Sequence, residues 1–246
     1  MDTNEGEIRL MDKLYIVMPA YNEEANIKKV VDEWYLLLQK ADNETKLVVA
    51  DSGSTDKTHE ILMDLQKEYT KLEVISNTGK QHGPKVISLY KYAIQHGADY
   101  IFQTDSDGQT NPDEFDAFWK VRQEYDGIFG YRNHRGDGKS RALVEKVVCL
   151  IIKFIFGFSL NIPDANAPFR LMKASVVNKY ISRLPEDYNL PNIMMTTYFV
   201  YYNERHCFKT ISFKSRQGGV NSINIPKIVR IGLGALRDFR RFKKNM

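Results

Sequence analysis

The chain is 246 residues long, 43% apolar and 27% charged, with a formal charge of +4. That composition suits a sizeable globular core and excludes global disorder, and so small a charge excess points to a local basic feature. Cys149 and Cys207 stand in apolar surroundings without CxxC spacing, which reads as two buried thiols in a reducing compartment and gives no support for structural zinc.

In chain order, Met1 to Lys13 is polar and acidic, with no apolar stretch resembling a signal peptide. Leu14 to Met18 and Leu47 to Ala50 are apolar runs of strand length, each ending at a turn signal. Asn26 to Gln39 and Thr55 to Tyr69 have helical apolar spacing, with Ser54 or Thr55 as the expected cap of the second helix. Leu72 to Ile75, Tyr100 to Phe102 and Gly127 to Phe129 supply further strands, separated by helical stretches at Lys85 to Gln95 and Asp113 to Tyr125. This alternation predicts an α/β fold, a mostly parallel sheet with helices on both faces. No GxGxxG follows the first strand, which weakens a nicotinamide-dependent reading.

Beyond Tyr131 the text turns basic and apolar, then irregular around Pro163 and Pro168. The run Val147 to Leu160, interrupted by Lys153, falls short of the roughly 20 residues that cross a bilayer, and Val147 to Phe158 within it reads as core or as a second interfacial element. Residues 1–223 are expected as one body, with 224–246 as a basic amphipathic helix belonging to it. Ile228, Ile231, Ala235, Phe239 and Phe242 share one face of that helix, and Lys227, Arg230, Arg237, Arg241 and Lys244 fill much of the rest. Such a helix suits an anionic membrane surface, or else packs on the domain with its basic face solvated. No aromatic platform accompanies it, so nucleic acid is not an expected partner.

The segment Thr104-Asp105-Ser106-Asp107-Gly108-Gln109 directly follows an apolar strand end. Two carboxylates one residue apart, with an amide two further on, form a hard oxygen set suited to Mg²⁺ or Mn²⁺ bridging phosphates. The same residue types also make an ordinary turn. Three more segments complete the pattern: Pro19-Ala20-Tyr21-Asn22-Glu23 after the first strand, Asp51-Ser52-Gly53-Ser54-Thr55-Asp56 after the second, and Arg216-Gln217-Gly218-Gly219-Val220-Asn221-Ser222 after the alternating run Phe208 to Phe213.

In this order the four segments resemble the family 2 glycosyltransferases with a GT-A fold, most closely the dolichol- and polyprenyl-phosphate sugar transferases. The resemblance covers roughly Leu14 to Lys244. It implies that Pro19, Tyr21 and Glu23 hold the nucleotide, that Asp51 contacts its base or ribose, and that Asp105, Asp107 and Gln109 bind the metal, with Asp105 also meeting the donor. It further implies a phosphate-binding Arg132, a weaker candidate in Arg141, and Arg216 with Asn221 and Ser222 closing over the diphosphate, with Lys85 as another diphosphate contact. Asp164 to Leu171 looks like the acceptor-side motif, although Pro168 stands where a glycine usually precedes Phe-Arg-Leu, and proline lacks the N–H.

The implied activity is metal-dependent inverting transfer of a sugar from a nucleotide-diphosphate donor, at the cytoplasmic face of a membrane. With a lipid-phosphate acceptor no strong base is required. With a saccharide hydroxyl a carboxylate must take the proton, and Glu186 and Asp187 are the candidates, Asp187 first. A different class stays open, a sugar-nucleotide-binding assembly partner without turnover. His59, His82, His96, His134 and His206 show no ligand spacing and read as surface or loop residues.

Overall fold

A computed structural model describes residues 12–38, 44–133, 139–215, 225–244 and 246; for 139–142 and 225–233 the backbone alone is described. Seven strands form one sheet: β1 (Leu14–Ala20), β2 (Lys46–Asp51), β3 (Leu72–Ile75), β4 (Tyr100–Thr104), β5 (Gly127–Tyr131), β6 (Phe169–Lys173) and β7 (His206–Thr210), in the order β3-β2-β1-β4-β6-β5-β7. β1 to β4 pair in parallel, β6 runs antiparallel between β4 and β5, and β5 pairs in parallel with β7.

The helices are α1 (Ile27–Tyr35), α2 (Thr58–Glu68), α3 (His82–Gln95), α4 (Phe115–Trp119), α5 (Lys139–Phe156), α6 (Ala174–Ile181), α7 (Pro191–Tyr201) and α8 (Ile225–Lys244). Every residue of β1 is buried, as expected for a central strand covered on both faces. Alternate β1 side chains feed two cores: Leu14, Ile16 and Met18 pack with α1 and α2, while Tyr15 and Val17 pack with α3, α6, α7 and α8.

Several expectations need correction. The helix expected over Asp113 to Tyr125 is a 3-10 turn, Pro112–Glu114, started by the Asn111 cap and Pro112, followed by the short α4. α2 starts at Thr58, and Asp56 accepts its N–H at 3.0 Å, so Asp56 takes the role expected of Ser54 or Thr55. The stretch around Pro163 and Pro168 is irregular as expected, while β6, directly after it, had no counterpart among the expected strands. Cys149 and Cys207 are half-buried free thiols. α8 is a helix as expected, but Ala235, Phe239 and Phe242 are buried against the domain. Those three side chains are therefore not available as a membrane-facing surface. Among the described residues no helix is long and apolar enough to cross a membrane.

Candidate active site

The strand order places β1 between β2, which precedes β3 on one side, and β4 on the other. The chain thus reverses its direction of sheet growth beside β1, and the carboxyl ends of β2, β1 and β4 meet at that switch point, the place where open α/β sheets bind ligands. Pro19, Asp51 and the Asp105 to Gln109 loop all lie there. Ser106 Oγ donates to Pro19 O at 2.8 Å, tying the acidic loop to the end of β1.

The first two loops are stitched together. Asn22, in the left-handed region at φ 54°, accepts from Thr55 N at 2.8 Å and donates its own N–H to Ser54 Oγ at 3.1 Å. Glu23 N donates to Thr58 Oγ1 at 2.7 Å, and the buried Glu23 carboxylate accepts from Asn26 Nδ2 at 3.0 Å. Glu23 therefore shapes the loop from within. Asp51 is buried, with Oδ1 accepting from Ser54 Oγ and Oδ2 lying 3.0 Å from His59 Nδ1.

Tyr21 is exposed above Lys85, whose Nζ lies 5.0 Å from the ring centroid and donates to Ala20 O. Lys85 itself is 1% exposed. Burial pulls its ammonium down to about 8, partly opposed by the attraction of Asp51. Lys85 thus lies under the Ala20–Tyr21 turn, while the exposed cation of its segment is Lys80, whose stem packs over Gly53. Gly53 has φ +77°, and a Cβ there would lie 3.0 Å from Lys80 Cγ.

At the acidic loop, Asp105 Oδ1 lies 3.2 Å from His82 Nε2, in the first turn of α3. Gln109 N donates to Asp107 Oδ1 at 3.1 Å, while Gln109 Nε2 donates to Lys214 O at 2.7 Å and Gln109 O accepts from Lys214 N at 2.9 Å. With its nitrogen committed to Lys214, the amide has Oε1 left to offer a cation. The donor set of two carboxylates and an amide oxygen fits Mg²⁺ or Mn²⁺. No group of three or more His, Cys, Asp or Glu that could hold a metal occurs among the described residues.

Arg132, expected to bind phosphate, is engaged within the protein. It is buried; Nε and Nη2 donate to the two oxygens of Asp164 at 2.7 and 2.8 Å, and Nη2 stands 3.5 Å from Glu145 Oε2. Its charge is balanced by protein carboxylates, and the pair fixes the Asp164 to Pro168 segment to the end of β5. Arg170, fully buried, completes that anchoring: its guanidinium donates to Ala167 O at 2.8 Å and to Asn192 O at 2.9 Å, with Ala165 O at 3.4 Å. The carbonyls flanking Asn166 are held by Arg170, so the missing N–H of Pro168 does not leave the segment loose.

Glu186 pairs with Lys91 at 2.7 Å, and that hydrogen bond holds its carboxyl below the usual range, which makes it a poorer base. Asp187 is exposed in the same turn. The turn lies directly on the start of α3: a Cβ on Gly83 would fall 2.2 Å from Tyr188 O, so only glycine permits this approach. Arg216, Asn221 and Ser222 lie outside the described residues, as do His134 and the side chain of Arg141. The chain enters the Arg216 segment from Lys214, bonded twice to Gln109. His59 and His82, expected as surface or loop residues, are about half exposed yet contact Asp51 and Asp105, and Ser106 carried no signal in the sequence beyond its place in the strand-end loop.

These features describe an α/β domain of GT-A architecture. The family model for glycosyl transferase family 2 matches residues 15–181, and the chain belongs to that family. It is 25% identical over 234 residues to an uncharacterized glycosyltransferase of Synechocystis, covering 92% of this chain and 69% of the relative. It is 33% identical over 163 residues to a UDP-N-acetylglucosamine–dolichyl-phosphate N-acetylglucosaminyltransferase of Methanococcus voltae, covering 59% of this chain and 63% of the relative. An undecaprenyl-phosphate 4-deoxy-4-formamido-L-arabinose transferase of Photorhabdus laumondii is 26% identical over 152 residues, 61% of this chain and 46% of that one. The chain thus spans less than two thirds of both polyprenyl-phosphate relatives. Glucosyl-3-phosphoglycerate synthase of Mycobacterium tuberculosis, solved with Mn²⁺ and UDP-glucose, superposes with a TM-score of 0.64 at 17% identity, over 93% of this chain and 79% of that one, which shows the shared fold.

Proposed function

We propose that the protein transfers a sugar from a nucleotide-diphosphate donor to a polyprenyl phosphate, with inversion at the anomeric carbon. The observation that carries this reading is the acidic loop at the switch point, tied by Ser106 to Pro19 and by Gln109 to Lys214. The two relatives named for polyprenyl-phosphate transfer support the choice of acceptor.

In this reading Pro19, Tyr21 and Asp51 seat the nucleoside, with Glu23 holding the loop and Lys85 contributing positive charge from beneath it. Asp105, Asp107 and Gln109 would hold Mg²⁺ or Mn²⁺, which when bound would supply Lewis-acid stabilisation of the leaving diphosphate. Arg216 is the residue the family resemblance assigns as fixed positive charge for the diphosphate, and Arg132 positions the acceptor segment through Asp164. The acceptor phosphate oxygen, already anionic, attacks C1 as the C1–O bond to the diphosphate breaks, and no proton needs to move. Transfer to a saccharide hydroxyl is the second reading, favoured by the placement of the exposed Asp187 turn against α3, with Asp187 as base.

The test is a panel of nucleotide sugars incubated with polyprenyl phosphate or oligosaccharide acceptors and Mn²⁺, followed by product extraction. Sugar label in the lipid phase supports the first reading. Label confined to saccharide moves the assignment to the second. Donor binding without turnover on any acceptor would leave an assembly role.

A further inference from the structure

Asp51 is the strand-end carboxylate expected to meet the donor's base or ribose, yet its side chain is only 2% exposed. Its Oδ1 accepts from Ser54 Oγ, and its Oδ2 lies 3.0 Å from His59 Nδ1. The imidazole outside it is 49% exposed and stands in the first turn of α2. That helix start is held to the first loop, since Thr58 Oγ1 accepts from Glu23 N at 2.7 Å.

The other described histidines are placed differently. His96 and His206 turn Nδ1 to backbone carbonyls, those of Tyr92 and Glu204, and His82 meets the partly exposed Asp105. His59 is the one set against a buried carboxylate. A carboxylate only accepts hydrogen bonds, so the contact places the ring proton on Nδ1 and leaves a lone pair on Nε2. No group among the described residues bonds to that nitrogen. Tyr21 adjoins it through a short path: Asn22 N donates to Ser54 Oγ at 3.1 Å, and Ser54 Oγ donates to Asp51. The exposed Tyr21 ring offers a face on which a base can stack, and His59 Nε2 offers an acceptor for its edge.

Such an acceptor discriminates among bases. Uracil and guanine carry a ring N–H in the middle of the pairing edge, where cytosine and adenine carry a lone pair. We propose that His59, oriented by Asp51, selects the base of the donor, its Nε2 accepting from the ring N–H of uracil or guanine. Cytosine and adenine set lone pair against lone pair and are refused. Asp51 acts on the nucleoside through His59 rather than by touching it. This role of His59 rests on the nucleotide reading of the site and adds the residue that chooses the base.

The experiment measures binding of UDP, GDP, CDP and ADP by calorimetry with Mg²⁺, at about pH 8, above the ordinary imidazole range. The parent protein should bind UDP or GDP about tenfold or more tightly than CDP and ADP. His59→Leu, shown folded by circular dichroism, should lose about five- to twentyfold for the preferred nucleotide and little for the others. His59→Gln, whose amide oxygen can accept, should recover part of the preference. In the parent, methylation of the ring N–H of the preferred nucleotide should abolish the preference, and removal of the ribose 2′-hydroxyl should leave it. Equal binding of all bases, tolerance of the N-methyl analogue, or an unchanged base ratio in His59→Leu would overturn the role of His59 while leaving the nucleotide seat in place. A parent protein that binds none of these nucleotides would overturn both.

Discussion

His82 Nε2 and Asp105 Oδ1 stand 3.2 Å apart, joining the first turn of α3 to the first carboxylate of the acidic loop. The imidazole is half exposed, so this bond orients Asp105 without burying it. Its removal should therefore cost less than a buried charge-assisted bond. His82→Ala is expected to lower kcat/KM by about three- to tenfold, with little change in thermal stability. Unchanged kinetics would remove His82 from the site.

Gly83 sits beside it under the Pro185 to Tyr188 turn, where a Cβ would meet the Tyr188 carbonyl at 2.2 Å. A backbone oxygen cannot step aside as a flexible side chain can. Gly83→Ala should destabilise the protein by about 1–3 kcal/mol and shift the turn that bears Asp187. Chemical denaturation reads the first effect, and transfer rate the second. A variant as stable as the parent would mean that the turn does not rest on α3.

The Arg132–Asp164 pair gives a third expectation. Asp164→Ala leaves a buried guanidinium with Glu145 as its remaining carboxylate partner at 3.5 Å among the contacts described, and should cost about 3–5 kcal/mol of stability. Arg132→Met combined with Asp164→Ala should recover part of that loss in a double-mutant cycle, because the unpaired charge is gone. Additive losses would show that the two side chains do not act as a pair.

Lys85 supplies a pH dependence whose sign is fixed. Its folded value, about 8, lies below the ordinary 10.5, so between those limits the unfolded chain holds a proton that the folded chain has released. Stability then rises with pH across that window, and the burial penalty is fully felt below about 8. Relative to Lys85→Met, the parent protein should gain about 1–3 kcal/mol between pH 8 and pH 10. Parallel curves for the two proteins would mean that Lys85 is not a buried cation.

The first half of the chain was legible because each strand is a short apolar run closed by turn residues, and the repeated β-α alternation fixes both layering and handedness. The strand-end loops were legible as motifs for the same reason. β6 was not, since Phe169 to Lys173 mixes Arg170 and Lys173 into a five-residue run, and its antiparallel place depends on partners distant in sequence. α8 shows the complementary difficulty. Its amphipathic pattern is plain, but the pattern is the same whether Phe239 meets lipid or, as here, Phe156 and the core. Arg132 and Lys85 were read as cations facing a ligand because burial and pairing are properties of the folded chain; Asp164 lies 32 residues from Arg132.

The central claim is that Asp105, Asp107 and Gln109 support metal-dependent transfer of a sugar to a lipid phosphate. The most direct measurement follows radiolabelled sugar from a nucleotide donor into extracted polyprenyl phosphate, for the parent protein and Asp107→Ala, with Mn²⁺ and with EDTA. Lipid-linked product is expected from the parent with Mn²⁺ alone, and Asp107→Ala should give none while retaining its fold by circular dichroism. Full transfer in EDTA, or by the folded Asp107→Ala variant, would contradict the account.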